Sequence, residues 1–173
     1  MSNLSGLPEQ IVLRPATPED EPFLLFAYET SRDEELQYLA WGSEKERESF
    51  FRMQFDAQNI HFKNSYELLD YDIIQKNNIP IGRLVLSWEP EHLHCVDIIL
   101  LPEFRRNHLG AAIMEAIVSE ADRRKITASL FYEKWKPYLG KFYERYGFKT
   151  IKEHQGHYYM ERSAGGSQPN IAS

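Results

Sequence analysis

The sequence predicts an α/β (α+β) fold, a mixed, twisted central sheet of about seven strands flanked by about four helices. Three features lead there. Short apolar stretches bounded by turn residues alternate with longer stretches of helical spacing, in the order strand, two helices, three strands, helix, strand, helix, two strands. The strand–helix–strand step over residues 93–133 requires a parallel pair. Other strands follow one another through turns short enough for hairpins.

Residues 1–10 read as a flexible leader and residues 11–162 as the folded domain. Ile11, Val12, Leu13 and Arg14 form a short strand. Thr17 can cap the helix that follows, Pro18 fits its first turn, and Glu19 and Asp20 suit the positive end of the helix dipole. Phe23, Leu24, Phe26 and Ala27 give that helix an apolar stripe. Ser43 and Glu46 make a capping box. The helix it opens should run for about 18 residues, with Phe50, Phe51, Phe55 and Ile60 on one side.

Residues 66–75 read as a strand. Asn77 and Asn78 turn it into a second strand over 79–88, because asparagine tolerates positive φ. Glu89, Pro90 and Glu91 turn again into a third, residues 93–101, whose continuous apolar run suits the middle of a sheet. Pro102 ends it. A helix follows over 109–124, then a strand over 126–133. A short helix over 137–146 has Gly147 at its C-terminal cap. Strands 148–154 and 157–162 close the domain around Gln155 and Gly156. Residues 163–173 are small and polar and read as a disordered tail.

A chain of 173 residues suits one domain. It can bury about two-thirds of its unfolded surface, so neither a disulfide nor a metal is needed to hold it. The lone cysteine, Cys95, excludes an internal disulfide, favours a reducing compartment and reads as a buried filler. No metal-ligand spacing accompanies it. The N-terminus has neither the basic start nor the apolar core of a signal peptide. The longest apolar runs fall far short of the ~20 residues of a membrane span, so no membrane association is expected and the setting reads as cytoplasmic. A net charge of −6 argues against nucleic acid as a partner. Residues 1–60 carry 12 acids against 5 bases, a net of −7, against +1 for the rest. That is either a solvated helical surface or a rim that attracts a cationic partner. Trp41 and Trp135, read as exposed, suit a homodimer interface.

The most informative stretch is LLPEFRRNHLGAA, residues 100–112. It is a strand, a basic turn and a helix start. The first amides of a helix lack internal partners, and with the dipole they favour a phosphate. Gly110 and Ala111 let a ligand approach the backbone, and Arg105 and Arg106 add positive charge. On these grounds the turn is either a phosphate cradle or a solvated loop.

PEFRRNHLGAAI resembles the signature loop of the GNAT acetyltransferases: Arg or Gln, two residues, Gly, one residue, then Gly or Ala. Arg105 takes the first place and Gly110 the last, while His108 stands where the family has its middle glycine. VDIILLPEF is similar to the family strand whose backbone pairs with the pantetheine arm. KFYERYGF, residues 141–148, resembles the late motif in which an aromatic pair closes a helix before Gly-Phe. Lys136 stands where the family often has Asn. The resemblance spans residues 11–162.

The resemblance implies an N-acetyltransferase that uses acetyl-CoA as cosubstrate, without a metal, and acts on a primary amine of a small molecule or peptide. Arg105, Arg106, Asn107, His108, Leu109, Gly110 and Ala111 would then grip the CoA pyrophosphate. Ile98, Ile99 and Leu100 would pair with pantetheine. Tyr143 falls on the tyrosine that often protonates the departing thiolate; its other reading is a core aromatic. General acids of this kind contribute roughly 100- to 10,000-fold. Asp97, a lone acid in an apolar strand, is either a base whose pKa burial raises or a structural carboxylate. Strict alternation places His94 on the face of Val96 rather than of Asp97. Glu67, Asp70, Asp72 and Arg83 are candidates to line the acceptor groove, with a surface role as the other reading of Arg83. The departures at His108 and Lys136 leave a second reading open, a CoA-binding or interaction module without catalysis.

Overall fold

The computed structural model describes residues 4–36 and 38–166. The first three residues of the expected leader and the expected tail from residue 167 onward lie outside the described residues. The elements are β1 (Ile11–Pro15), α1 (Glu21–Leu36), α2 (Glu44–Ser65), β2 (Leu69–Lys76), β3 (Ile79–Glu89), β4 (His92–Leu100), α3 (Leu109–Arg124), β5 (Thr127–Glu133), α4 (Pro137–Glu144), β6 (Lys149–His154) and β7 (His157–Arg162). The strands form one seven-stranded sheet in the order β1-β2-β3-β4-β5-β7-β6. Neighbours are antiparallel except β4 and β5, the parallel pair joined through α3.

Local sequence explains the turns. Asn77 (φ 51°) and Asn78 (φ 65°) make a two-residue hairpin turn that needs positive φ at both places, as do Gln155 and Gly156. Ser43 Oγ accepts from the Glu46 amide at 3.2 Å, and Glu46 reaches back to the Gly42 amide at 2.9 Å. That reciprocal cap starts a helix of 22 residues, longer than expected. Its C-cap is Tyr66, which the sequence assigns to the next strand; β2 begins only at Leu69.

Helices cover both faces of the sheet. On one face Ile113, Met114, Ile117, Val118 and Ala121 of α3 pack with Leu84, Leu86, Leu93, Cys95, Ala128 and Leu130. On the other, Leu24 and Tyr28 of α1 and Phe51 and Phe55 of α2 pack over Ile73. Each large apolar side chain buried in this way stabilises the fold by about 1.5–3 kcal/mol. Ile60 is exposed, against expectation. Five residues on from Phe55, it stands about 140° around the helix from it. Trp41 is packed against Phe50 and Phe51, with ring centroids 5.2 and 6.1 Å away. Of the two tryptophans expected at the surface, only Trp135 is exposed. Leu4 and Leu7 lean on the core. Among the described residues no helix is long and apolar enough to cross a membrane.

Candidate active site

β4 and β5 pair over four residues only: His92 with Thr127, Leu93 with Ala128, His94 with Ser129 and Cys95 with Leu130. Beyond these, β4 continues to Leu100 and β5 to Glu133 without pairing to each other, β4 still held by β3 and β5 by β7. The divergence starts at a bulge. Val85 of β3 faces Asp97 and Leu86 faces Cys95, leaving Val96 as the extra residue. The bulge also resets the side-chain alternation. Cys95 enters the α3 core, whereas His94 stacks on Tyr66 at the end of α2 and Asp97 bonds Arg83 beneath the α1 and α2 aromatics. His94 and Asp97 therefore share a face, which strict period-two alternation forbids.

The gap is a cleft of about 540 Å3. One wall is residues 95–99, the other residues 130–133 with Leu139 and Tyr143 of α4. Gln58, His61 and Tyr66 of α2 and its cap also line it, as do His154 and His157. Of the residues that the sequence suggested for catalysis or CoA binding, Asp97, Ile98, Ile99 and Tyr143 line this cleft.

The loop between β4 and α3 lies at the far end of β4. His108, the residue before α3, has φ 59° and no side-chain cap. Arg106 also has positive φ, 60°. Two left-handed residues turn the chain so that α3 begins without a side chain over its first amides. The Ala112 amide is bonded to the His108 carbonyl at 3.0 Å, so the amides of Leu109, Gly110 and Ala111 precede the first helical bond. A Cβ on Gly110 would meet only Leu100, at 4.0 Å, so that side of the loop is open. Leu109 is buried and anchors the helix start. Arg105 turns inward, donating to the Leu100 carbonyl at 2.8 Å and the Thr30 carbonyl at 3.2 Å, and so ties the loop to α1. Arg106 and His108 are exposed, and Asn107 Nδ2 bonds the Glu103 carbonyl at 3.3 Å.

Tyr143 is buried among aromatic rings, 5.3 Å from Phe142, 6.1 Å from Tyr132 and 6.3 Å from Phe148. Burial, then the neighbouring Cys95, Glu133 and Asp97, lifts its phenol above the ordinary value. The hydroxyl therefore stays protonated and able to donate. Burial also pushes the Cys95 thiol up to about 12, which agrees with a filler and disfavours a nucleophile. Asp97 is not the isolated acid its apolar strand suggests: Oδ2 accepts from Arg83 Nε at 2.6 Å.

The family profile described as Acetyltransferase (GNAT) family matches residues 22–148. The chain belongs to the GNAT acetyltransferase family. By sequence alone no curated protein matches it significantly. Its fold is similar to the PaiA N-acetyltransferase of Thermoplasma acidophilum solved with coenzyme A, at 17% identity and TM-score 0.65, covering 88% of this chain and 98% of that one. It is similar to an acetyltransferase of Thermus thermophilus at 16% identity and TM-score 0.65, over 91% and 99% of the two chains. A GNAT family acetyltransferase of Elizabethkingia anophelis solved with acetyl-CoA shares 14% identity at TM-score 0.57, over 90% and 99%.

Several polar residues of this GNAT domain fall elsewhere than expected. Glu67 is exposed, Asp70 accepts from Trp88 Nε1 at 2.9 Å, and Asp72 is buried; none of the three lines the cleft. Arg83 is wholly buried. Lys136, in the place where GNAT proteins often carry Asn, does line the cleft and pairs with Glu133 at 3.6 Å. Sequence reading missed Ser129. It becomes conspicuous only once the register sets it opposite His94.

Proposed function

We propose that the protein transfers the acetyl group of acetyl-CoA directly to a primary amine of a small molecule or peptide, within a ternary complex. One observation carries this reading: two parallel strands part after Cys95 and Leu130, leaving unpaired backbone on both walls of a cleft that Tyr143 also lines. The free edge of β4 suits an extended pantetheine arm, and the open amides at the start of α3 suit its pyrophosphate. The solved neighbours that carry coenzyme A and acetyl-CoA support the same assignment.

In the proposed step the amine nitrogen bonds the thioester carbon and the carbon–sulfur bond breaks. Unpaired β4 amides stabilise the developing oxyanion, and the departing thiolate takes the Tyr143 proton. The nitrogen's surplus proton restores the Tyr143 hydroxyl, and the further proton of an ammonium acceptor leaves the cleft. The acidic residues 1–60 favour a polyamine or a peptide amino terminus as acceptor.

Calorimetric titration with acetyl-CoA, for the wild type and Arg106→Glu, tests the cosubstrate. Micromolar binding that the substitution weakens at least about tenfold, some 1.4 kcal/mol, is expected. CoA release is then measured with spermidine and with a short peptide bearing a free amino terminus. Absence of binding at millimolar acetyl-CoA sinks the proposal.

A further inference from the structure

Leu139 and Tyr143 pack with the α3 core and Tyr28 packs with α2, yet all three line the cleft. The cleft therefore has two mouths, one on each face of the sheet. With acetyl-CoA entering from the start of α3, the acceptor is left the mouth between α1, α2 and the β6–β7 turn. Glu133 and His157 are cross-strand partners, as are His157 and His154. Directly opposed residues share a face. Theirs is opposite to that of Tyr132, the neighbour of Glu133 in β5, whose ring packs toward Tyr143 of α4. His154 and His157 thus belong to the acceptor mouth. The Lys134 amide, bonded to the Gly156 carbonyl at 2.9 Å, holds their turn against β5.

The polar groups of this mouth are mostly hydrogen-bond donors. Among the described residues that line the cleft only Asp97 and Glu133 carry a carboxylate. Both already have a cation: Arg83 Nε lies 2.6 Å from Asp97 Oδ2, and Lys136 Nζ lies 3.6 Å from Glu133 Oε1. Gln58 Oε1 accepts from Arg83 at 2.5 Å, which leaves its amino group, a donor, as the end a ligand meets. His61, His154 and His157 line the cleft and each keeps an N–H in either tautomer; Arg32, which also lines it, has a fork of N–H donors. The other histidines of the sheet, His92 and His94, lie 2.5 and 2.6 Å from Ser129 Oγ and do not line the cleft.

We infer that the acceptor carries a carboxylate beside its amine, and that Arg32, Gln58, His61, His154 and His157 form the donor-lined subsite that receives this carboxylate while the amine reaches the thioester. The inference rests on the amine-transfer reading above and selects among its acceptors. The described acids of residues 1–60 do not line the cleft. Their field acts on an ammonium in approach; the lining acts on the molecule once seated. There the second ammonium of a polyamine meets donors and carboxylates that cations already hold. A carboxylate meets charge-assisted hydrogen bonds, about twice as strong as neutral ones. A free amino acid and a peptide that begins with an acidic residue both have this chemistry.

The test is the rate of CoA release from acetyl-CoA with matched pairs of acceptors. One pair is β-alanine and β-alaninamide. The other is a short, C-terminally amidated peptide beginning with aspartate and the same peptide beginning with asparagine. Spermidine is measured alongside. The carboxylate member of a pair is expected to exceed its amide in kcat/KM by at least about tenfold, some 1.4 kcal/mol, and to exceed spermidine. The pair with the larger preference tells a free amino acid from an acidic amino terminus. In Arg32→Gln, and in the doubly substituted His154→Ala, His157→Ala, the preference should fall to within about threefold. Each ratio is read within one variant, so a loss of folded protein lowers both members equally and leaves it unmoved. A wild-type ratio near one, or faster release with spermidine than with either carboxylate, overturns the inference while leaving amine transfer intact. A preference that survives in both variants overturns the subsite. A wild type that binds acetyl-CoA yet releases no CoA with any of these amines overturns the transfer reading and the inference together.

Discussion

Arg83 Nε lies 2.6 Å from Asp97 Oδ2 across the antiparallel pair of β3 and β4. The same guanidinium donates to the Tyr71 hydroxyl at 2.9 Å and to Gln58 Oε1 at 2.5 Å, and it is wholly buried. One arginine thus joins the cleft wall to β2 and α2. Removing the only carboxylate among these partners strands a buried cation, so Asp97→Asn is expected to cost about 3 kcal/mol in urea unfolding. Arg83→Lys should be nearly as costly, because an ammonium cannot match three partners of a planar fork. A loss below about 0.5 kcal/mol for either would show that the network carries little stability.

Tyr143→Phe is expected to lower turnover about 100-fold while acetyl-CoA affinity stays unchanged by calorimetry. The phenol's pKa is raised above 10.0 by burial. An acid is lost only as pH rises through its own pKa, so the wild-type rate should show no alkaline limb below about pH 10. Equal turnover in the variant would remove Tyr143 from the mechanism.

Gly140 lies in α4 where an added Cβ would collide with the Tyr132 hydroxyl and stand 2.9 Å from its Cζ. Helix propensity alone favours alanine there by about 1 kcal/mol, but overpacking costs about 1–3 kcal/mol. Gly140→Ala should therefore destabilise. Adding Tyr132→Phe, which removes the colliding oxygen, should recover part of the loss. Melting of the single and double variants decides it, and no recovery would place the strain elsewhere.

Glu120 of α3 is 1% exposed and accepts from Arg123 at 2.8 and 2.6 Å and from Arg124 at 2.6 Å. These bonds, Arg123's first, hold its carboxyl down to about 2, against an ordinary value of 4.5. A depressed folded-state pKa adds stability that is complete above the unfolded value and lost as pH falls through the folded one. Glu120→Gln should cost about 1–3 kcal/mol at neutral pH, and its deficit should shrink between pH 4.5 and 2. A deficit constant across that window would mean that geometry, not charge, is what glutamine fails to supply.

Much of the fold is written in local chemistry. Helix α3 begins and ends where its apolar spacing does, because Leu109 is the first inward residue and Lys125 closes it in the left-handed conformation. The paired asparagines announce their hairpin for the same reason. The cleft is less legible. Strict alternation misassigns the face of Asp97, since one extra residue at Val96 leaves no composition signal and flips every later side chain. Arg83 reads equally well as a surface residue until Asp97, Tyr71 and Gln58 gather from 14, 12 and 25 positions away. Ser129 depends on a register that no short window contains.

The four residue pairs between β4 and β5 have a mechanical meaning. The sheet is two plates, β1–β4 and β5–β7, welded along a short line with α3 as the strap. Twisting one plate against the other strains those few backbone pairs and the α3 packing that spans both, whereas every other strand boundary is longer. A chain laid along the open part of the gap would lengthen the weld, so the stiffness of the whole molecule depends on whether that gap is filled.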